Sequence, residues 1–203
     1  MRAYGIYQNI RDGAWQCLID HGVVSLPVDV LRICREAGIH VIKNSMVDVL
    51  FKDEQARSYY DSKTWHIIYN DQAPVETSRF MLAHELGHIL LNHELKFVKY
   101  SHTREVAPKA ISEQQADRFA VRLLCPTCVI WGLDLHTAEE IADFCKVDIS
   151  VAEERARRMK ALYQRDKFLT SPLEREVYEN FKPFIDQQKA ALAARTEKFV
   201  KTY

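Results

Sequence analysis

His84, Glu85 and His88 are the residues whose types and spacing most directly point to chemistry. Two histidines four positions apart lie one turn apart on one face of a helix, so both imidazoles can reach a single ion. Glu85 stands beside the first of them and can address a water held at that ion. Zinc lowers the pKa of such a water toward ~7, and a carboxylate within hydrogen-bond reach can take its proton. The segment His84-Glu85-Leu86-Gly87-His88 thus supplies two metal ligands and a general base, with hydrolysis as the expected reaction. The bland alternative is a pair of exposed histidines on an ordinary helix. The flanking runs Phe80-Met81-Leu82-Ala83 and Ile89-Leu90-Leu91 weigh against it. They make the helix a core element, and two histidines and a glutamate beside a buried stripe need partners.

A catalytic zinc site has three protein ligands and one open position. The layout H-E-x-x-H-x-x-G-x-x-H fails here, because Leu91 holds its glycine position and Glu94 its last histidine position. His93 is one residue out of register. The other common layout takes a glutamate from a later helix, and Glu113-Gln114-Gln115-Ala116-Asp117 fits it. Glu113 is the expected third ligand. Asp117, one turn on, is placed to hold the far nitrogen of His84 or His88, which would set ring orientation and raise ligand basicity. Glu94, Glu105 and Asp117 itself compete with Glu113 for the third position. Gly87 suits a close approach by the second helix, since it has no side chain.

These residues need a scaffold. An amphipathic helical start covers 1–25, with Ile6, Ile10, Trp15, Leu18 and Ile19 as its apolar contacts. A second helix opens at Pro27 and closes at Gly38. Three β-rich runs follow at 39–42, 47–51 and 65–69, separated by polar turns. Pro74 starts the helix carrying His84 and His88, which reaches Leu91 or Asn92. A charged loop spans about 93–108. The helix bearing Glu113 runs from about Ile111 to Cys125 and stops at Pro126, with Ser112 and Gln115 as a capping box near its start. Beyond Thr137 the pattern is helical to the end: a short helix capped at Thr137, a longer one from Ser150 to about Tyr163, and a last one over much of 173–200. The expected fold is α+β. A small, mostly antiparallel sheet packs on the zinc-binding helix and a second ligand helix, and a helical extension follows. The expected domains are a metallopeptidase domain over 1–130, with a minimal core of about 25–130, and a helical extension over 131–203.

Composition narrows the classes. The 28 basic residues cancel 28 acidic ones, which leaves no overall electrostatic footprint for tight nucleic-acid binding. No secretory leader pattern opens the sequence, and no apolar run approaches the roughly eighteen residues of a membrane helix. A cytoplasmic location is expected. The five cysteines are then expected to be reduced thiols, and their odd number argues against a complete disulfide framework.

Taken together, Arg79-Phe-Met-Leu-Ala-His-Glu-Leu-Gly-His88, Glu113-Gln-Gln-Ala-Asp-Arg-Phe-Ala120 and Leu123-Leu-Cys-Pro126 resemble the ImmA/IrrE family of metallopeptidases. The strand Ile67-Ile-Tyr-Asn70 matches the family's usual approach to the zinc helix. The likeness covers roughly residues 25–130. It implies a small gluzincin with two histidines and a glutamate on zinc. It also implies cleavage of a protein target, of which bacterial or phage transcriptional repressors are the kind known in outline. Cys125 stands where the family often has methionine, an apolar exchange without consequence for the chemistry.

Some features stay open at this level. The partner that stabilises an oxyanion is expected among Tyr59, Tyr60, Tyr69, His93, Tyr100 and His102, with no choice between them. A sheet edge before the zinc helix is expected to offer itself to an extended substrate. Cys125-Pro-Thr-Cys128 lacks a second ligand pair and reads as buried thiols. Residues 137–163 fit a helix-turn-helix carrying Arg155, Arg157, Arg158 and Lys160, but Glu153 and Glu154 offset that charge, and direct nucleic-acid contact is not favoured. Two functions compete: a zinc endopeptidase acting on a regulatory protein, and a non-proteolytic metal-binding sensor whose helical tail contacts DNA or a partner. Glu85 favours the first, because a purely structural metal site needs no base.

Overall fold

The computed structural model describes residues 9–93 and 111–202, with side chains through residue 194. The chain is α+β and mostly helical. It forms two compact units. One combines the chain up to Ala14 with Asp29–Val121, and the other combines Trp15–Val28 with the chain from Arg122 on. The helix α1 (Ile10–Asp20) runs from one into the other. Ile6, expected in that helix, lies outside the described residues.

In the first unit, α2 (Val30–Glu36) begins where Asp29 accepts the Arg32 N–H at 2.9 Å, and Gly38 at φ +74° ends the turn after it. Three strands follow: β1 (His40–Lys43), β2 (Ala56–Tyr60) and β3 (Trp65–Tyr69), in the order β1-β3-β2. β2 runs antiparallel to β3, with Ser58 opposite Ile67, while β1 runs parallel to it, with Val41 opposite Ile67. The small sheet is thus mixed.

The strand expected at 47–51 is replaced by the one-turn helix α3 (Asn44–Val47) and an irregular segment. The reason lies in where the backbone donors go. Asn44 Oδ1 accepts from the N–H groups of Val49 and Leu50, and Glu54 accepts from Phe51 N–H while pairing with the Arg57 guanidinium. Side chains satisfy these groups, so no ladder forms, and Val47, Val49 and Phe51 stay exposed. The missing strand is β2. Its buried residues are the small Ala56 and Ser58, which carry little β signal in sequence.

Against the sheet packs α4 (Val75–Leu90), the helix expected from Pro74. Ser78 near its start donates to the Asn70 carbonyl at 2.9 Å and so ties the helix to the end of β3. From Leu82 to Leu90 every residue is buried. The sheet and α2 both contact this helix.

α5 (Ile111–Leu124) follows, with Ser112 near the start of its described part; the residues before Ile111 lie outside the described residues. In the second unit, α6 (Thr127–Gly132) is a short helix not expected from sequence. It is followed by α7 (Ala138–Cys145), α8 (Ile149–Arg165) and α9 (Pro172–Thr202). Thr137 and Glu140 form the expected reciprocal capping box of α7. Val177, Phe181 and Ile185 make a buried stripe at four-residue spacing along α9. A Cβ on Gly132 would come within 2.9 Å of Tyr178, so α6 and α9 pack closely through it. Among the described residues no helix is long and apolar enough to cross a membrane.

Candidate metal centre

Helix geometry places His84 and His88 on one face of α4, and the packing of α5 adds Glu113. The Nε2 atoms of the two histidines are 3.0 Å apart. Glu113 Oε2 lies 3.3 Å from His84 Nε2, and its Oε1 lies 3.3 Å from His88 Nε2. Three ligand atoms therefore converge on one point. Two ligands on a tetrahedral zinc at about 2.0–2.1 Å stand roughly 3.3 Å apart, so the spacing and the N,N,O donor set both fit such an ion. Among the described residues, His84, His88 and Glu113 are the group placed to share a metal. Glu94 and Glu105, the rival third ligands, lie outside the described residues.

The close approach of α4 and α5 passes through Gly87. A Cβ there would meet Phe119 Cδ1 at 3.1 Å and Phe119 Cβ at 3.3 Å. The absent side chain lets Phe119, fully buried, seat against α4 nearly two helical turns along α5 from Glu113.

Each histidine has a partner on its other nitrogen. Asp117 Oδ1 is 2.8 Å from His84 Nδ1, the ring nitrogen opposite the one that Glu113 meets. His93 Nδ1 is 3.0 Å from His88 Nδ1. Burial lowers the proton affinity of His84, but hydrogen bonds to Asp117 and Glu113 outweigh it and raise its pKa to about 9. The same contacts with His84 and His88 hold the Glu113 carboxyl far below its ordinary range. Burial and the neighbouring His88 lower the pKa of His93.

Glu85 is 8% exposed, and its carboxylate needs a donor. Ser58 supplies it: Ser58 Oγ donates to Glu85 Oε2 at 2.5 Å. Ser58 had no place among the residues expected from sequence. A lone serine carries no signal, and β2 itself was not anticipated. Successive strand residues face opposite sides. Tyr59 therefore lies on the sheet face away from Glu85, where it stacks on His66 at 4.8 Å. Tyr60 shares the Ser58 side and is half-exposed. Tyr100 and His102 lie outside the described residues.

The remaining motifs resolve differently. All five cysteines are buried thiols outside any disulfide, and burial pushes those of Cys34 and Cys128 up to about 12. Arg155 leaves the set of exposed basic residues expected on α8. It is buried, and both Nε and an Nη donate to the Cys125 carbonyl at the end of α5. Arg157, Arg158 and Lys160 remain exposed.

Residues 34–157 match a peptidase family described as the IrrE N-terminal-like domain. No curated protein matches the chain.

Proposed function

Starting from a chain that belongs to the IrrE N-terminal-like domain family of peptidases, we propose that it is a zinc endopeptidase in which His84, His88 and Glu113 hold the metal and Glu85 is the general base. The convergence of three ligand atoms beside a buried, oriented carboxylate carries this reading. Bound zinc would supply Lewis acidity, polarising the scissile carbonyl and acidifying a water. Ser58 engages Oε2 of Glu85, which leaves Oε1 to take the proton of the attacking water. The same carboxyl then delivers that proton to the leaving amine. Asp117 accepts from His84 Nδ1–H and so keeps the other nitrogen free for the metal.

The target is a regulatory protein in the cytoplasm. A bacterial or phage transcriptional repressor is the kind implied by the resemblance of the three motifs. β2 is the outer strand of the sheet next to Glu85, and an extended substrate segment is suited to pair along it. Cleavage that survived Arg57→Glu on this strand would count against that docking mode.

The test is Glu85→Gln, assayed with a regulator encoded beside this gene and with metal analysis of the purified protein. Glutamine still accepts from Ser58 but takes no proton. The expected result is retained zinc with cleavage lost. Unchanged processing by Glu85→Gln would sink the peptidase reading.

A further inference from the structure

We propose that His93 is a positioning residue for the ligand His88, delivered to it by the C-terminal cap of α4. The inference rests on the reading of His84, His88 and Glu113 as a metal site. In a continuing helix a residue five positions on lies about 140° round the axis, so residue 93 would face away from residue 88. The chain does something else. Asn92 adopts φ +56°, its N–H bonds the Ile89 carbonyl at 3.2 Å, and the His93 N–H bonds the His88 carbonyl at 3.0 Å. These two bonds form a Schellman cap, which folds the second residue past the helix back over the last turn. An apolar contact usually accompanies such a cap. Here it is two imidazoles at 77°, with centroids 5.0 Å apart and their Nδ1 atoms 3.0 Å apart.

Proton placement gives this contact a direction. His88 turns Nε2 toward His84 Nε2 and Glu113, so a lone pair offered to a cation there requires the proton on Nδ1. That N–H donates to His93 Nδ1, which must then be the unprotonated nitrogen of its ring. Asp117 plays the matching part for His84. A neutral imidazole is a weaker acceptor than a carboxylate, so the effect of His93 is expected to be the smaller of the two.

The experiment measures zinc affinity of the full chain by competition with a chromogenic chelator, together with the visible spectrum of the cobalt-loaded protein. His93→Leu keeps the bulk without an acceptor and is expected to lose about 10-fold in affinity, the low end of the range for such partners, with a shifted cobalt spectrum; His93→Ala serves if leucine disturbs folding. His93→Asn places Oδ1 near the former Nδ1 and is expected to stay within about threefold of wild type. Asn92→Gly, which adopts positive φ freely, is expected to bind as wild type does. A role confined to packing would make the leucine and asparagine variants alike. Wild-type affinity and spectrum in His93→Leu would overturn the inference. His84→Ala separates the two levels. If it loses zinc while His93→Leu does not, only the role of His93 fails; if it binds as wild type does, the metal-site reading fails with it.

Discussion

The Ser58 hydroxyl donates to Glu85 across 2.5 Å and joins the outer strand of the sheet to the helix that carries His84 and His88. A hydrogen bond to a charged acceptor contributes about 1.5–3 kcal/mol, and its loss leaves the carboxylate free to turn. Ser58→Ala is therefore expected to lower kcat about tenfold or more while zinc content stays unchanged. Steady-state kinetics and metal analysis on one preparation check both halves.

On the proposed reading Glu113 ligates the metal and Asp117 orients the His84 ring. The Asp117 oxygen meets Nδ1 of His84, whereas Glu113 meets Nε2. Glu113→Ala is expected to abolish tight zinc binding. Asp117→Ala is expected to weaken it about 10- to 100-fold, with Asp117→Asn in between because its carbonyl still accepts. Equal losses in Glu113→Ala and Asp117→Ala would contradict the division of roles.

The metal-stripped and zinc-loaded proteins are expected to respond oppositely to rising pH. His84 is raised from 6.5 to about 9 by its two carboxylate partners, against the pull of burial. A raised folded-state value stabilises below about 6.5 and is lost as pH climbs through about 9. Glu113 is shifted the other way, so its contribution holds above the ordinary value of 4.5 and is lost as pH falls below it. The stripped protein should melt at progressively lower temperature between pH 7 and 9. Zinc binding displaces the His84 proton, so the loaded protein should gain relative stability over the same interval. Thermal melts of both forms at stepped pH decide this, and parallel curves would refute it.

At Gly87 helix propensity and packing oppose each other. Alanine gains about 1 kcal/mol of helix propensity over glycine. Its Cβ would sit 3.1 Å from the Phe119 ring, and overpacking costs about 1–3 kcal/mol. Gly87→Ala should come out near neutral or slightly destabilised. Gly87→Val adds two methyl groups to the same contact and should lose about 2 kcal/mol or more, with weakened zinc binding as α5 shifts. Denaturant melts with zinc titration test both.

Arg155 holds a carbonyl, so its loss should be felt in stability and not at the metal. Arg155→Ala leaves the Cys125 carbonyl buried without its donor, at a cost of about 1–3 kcal/mol, and zinc affinity should not change. Chemical denaturation read beside a zinc titration checks it.

Local chemistry was legible in the sequence. His84, Glu85 and His88 share a helix, and helical pitch alone sets their relation. Pro74 at its start and the Thr137–Glu140 box of α7 are likewise contacts between near neighbours, which a linear pattern records. The fold class followed from alternating apolar runs. What only the tertiary structure decided are contacts between segments far apart in the chain. Glu113 could be named from sequence, but that it and not Asp117 meets Nε2 of His84 follows only from α5 packing on α4 through Gly87 and Phe119. Val47–Phe51 has the better β composition, yet β2 forms at Ala56–Tyr60, because Asn44 and Glu54 occupy the donors of the former while small residues of the latter face α4. Ser58 reaches Glu85 only through that strand. Arg155 reads as one more surface cation until a carbonyl claims it. His93 is near His88 in sequence but out of helical phase with it, and one left-handed residue, Asn92, turns it back. Spacing along a helix sets which residues can share an ion; packing between elements sets which of them meet.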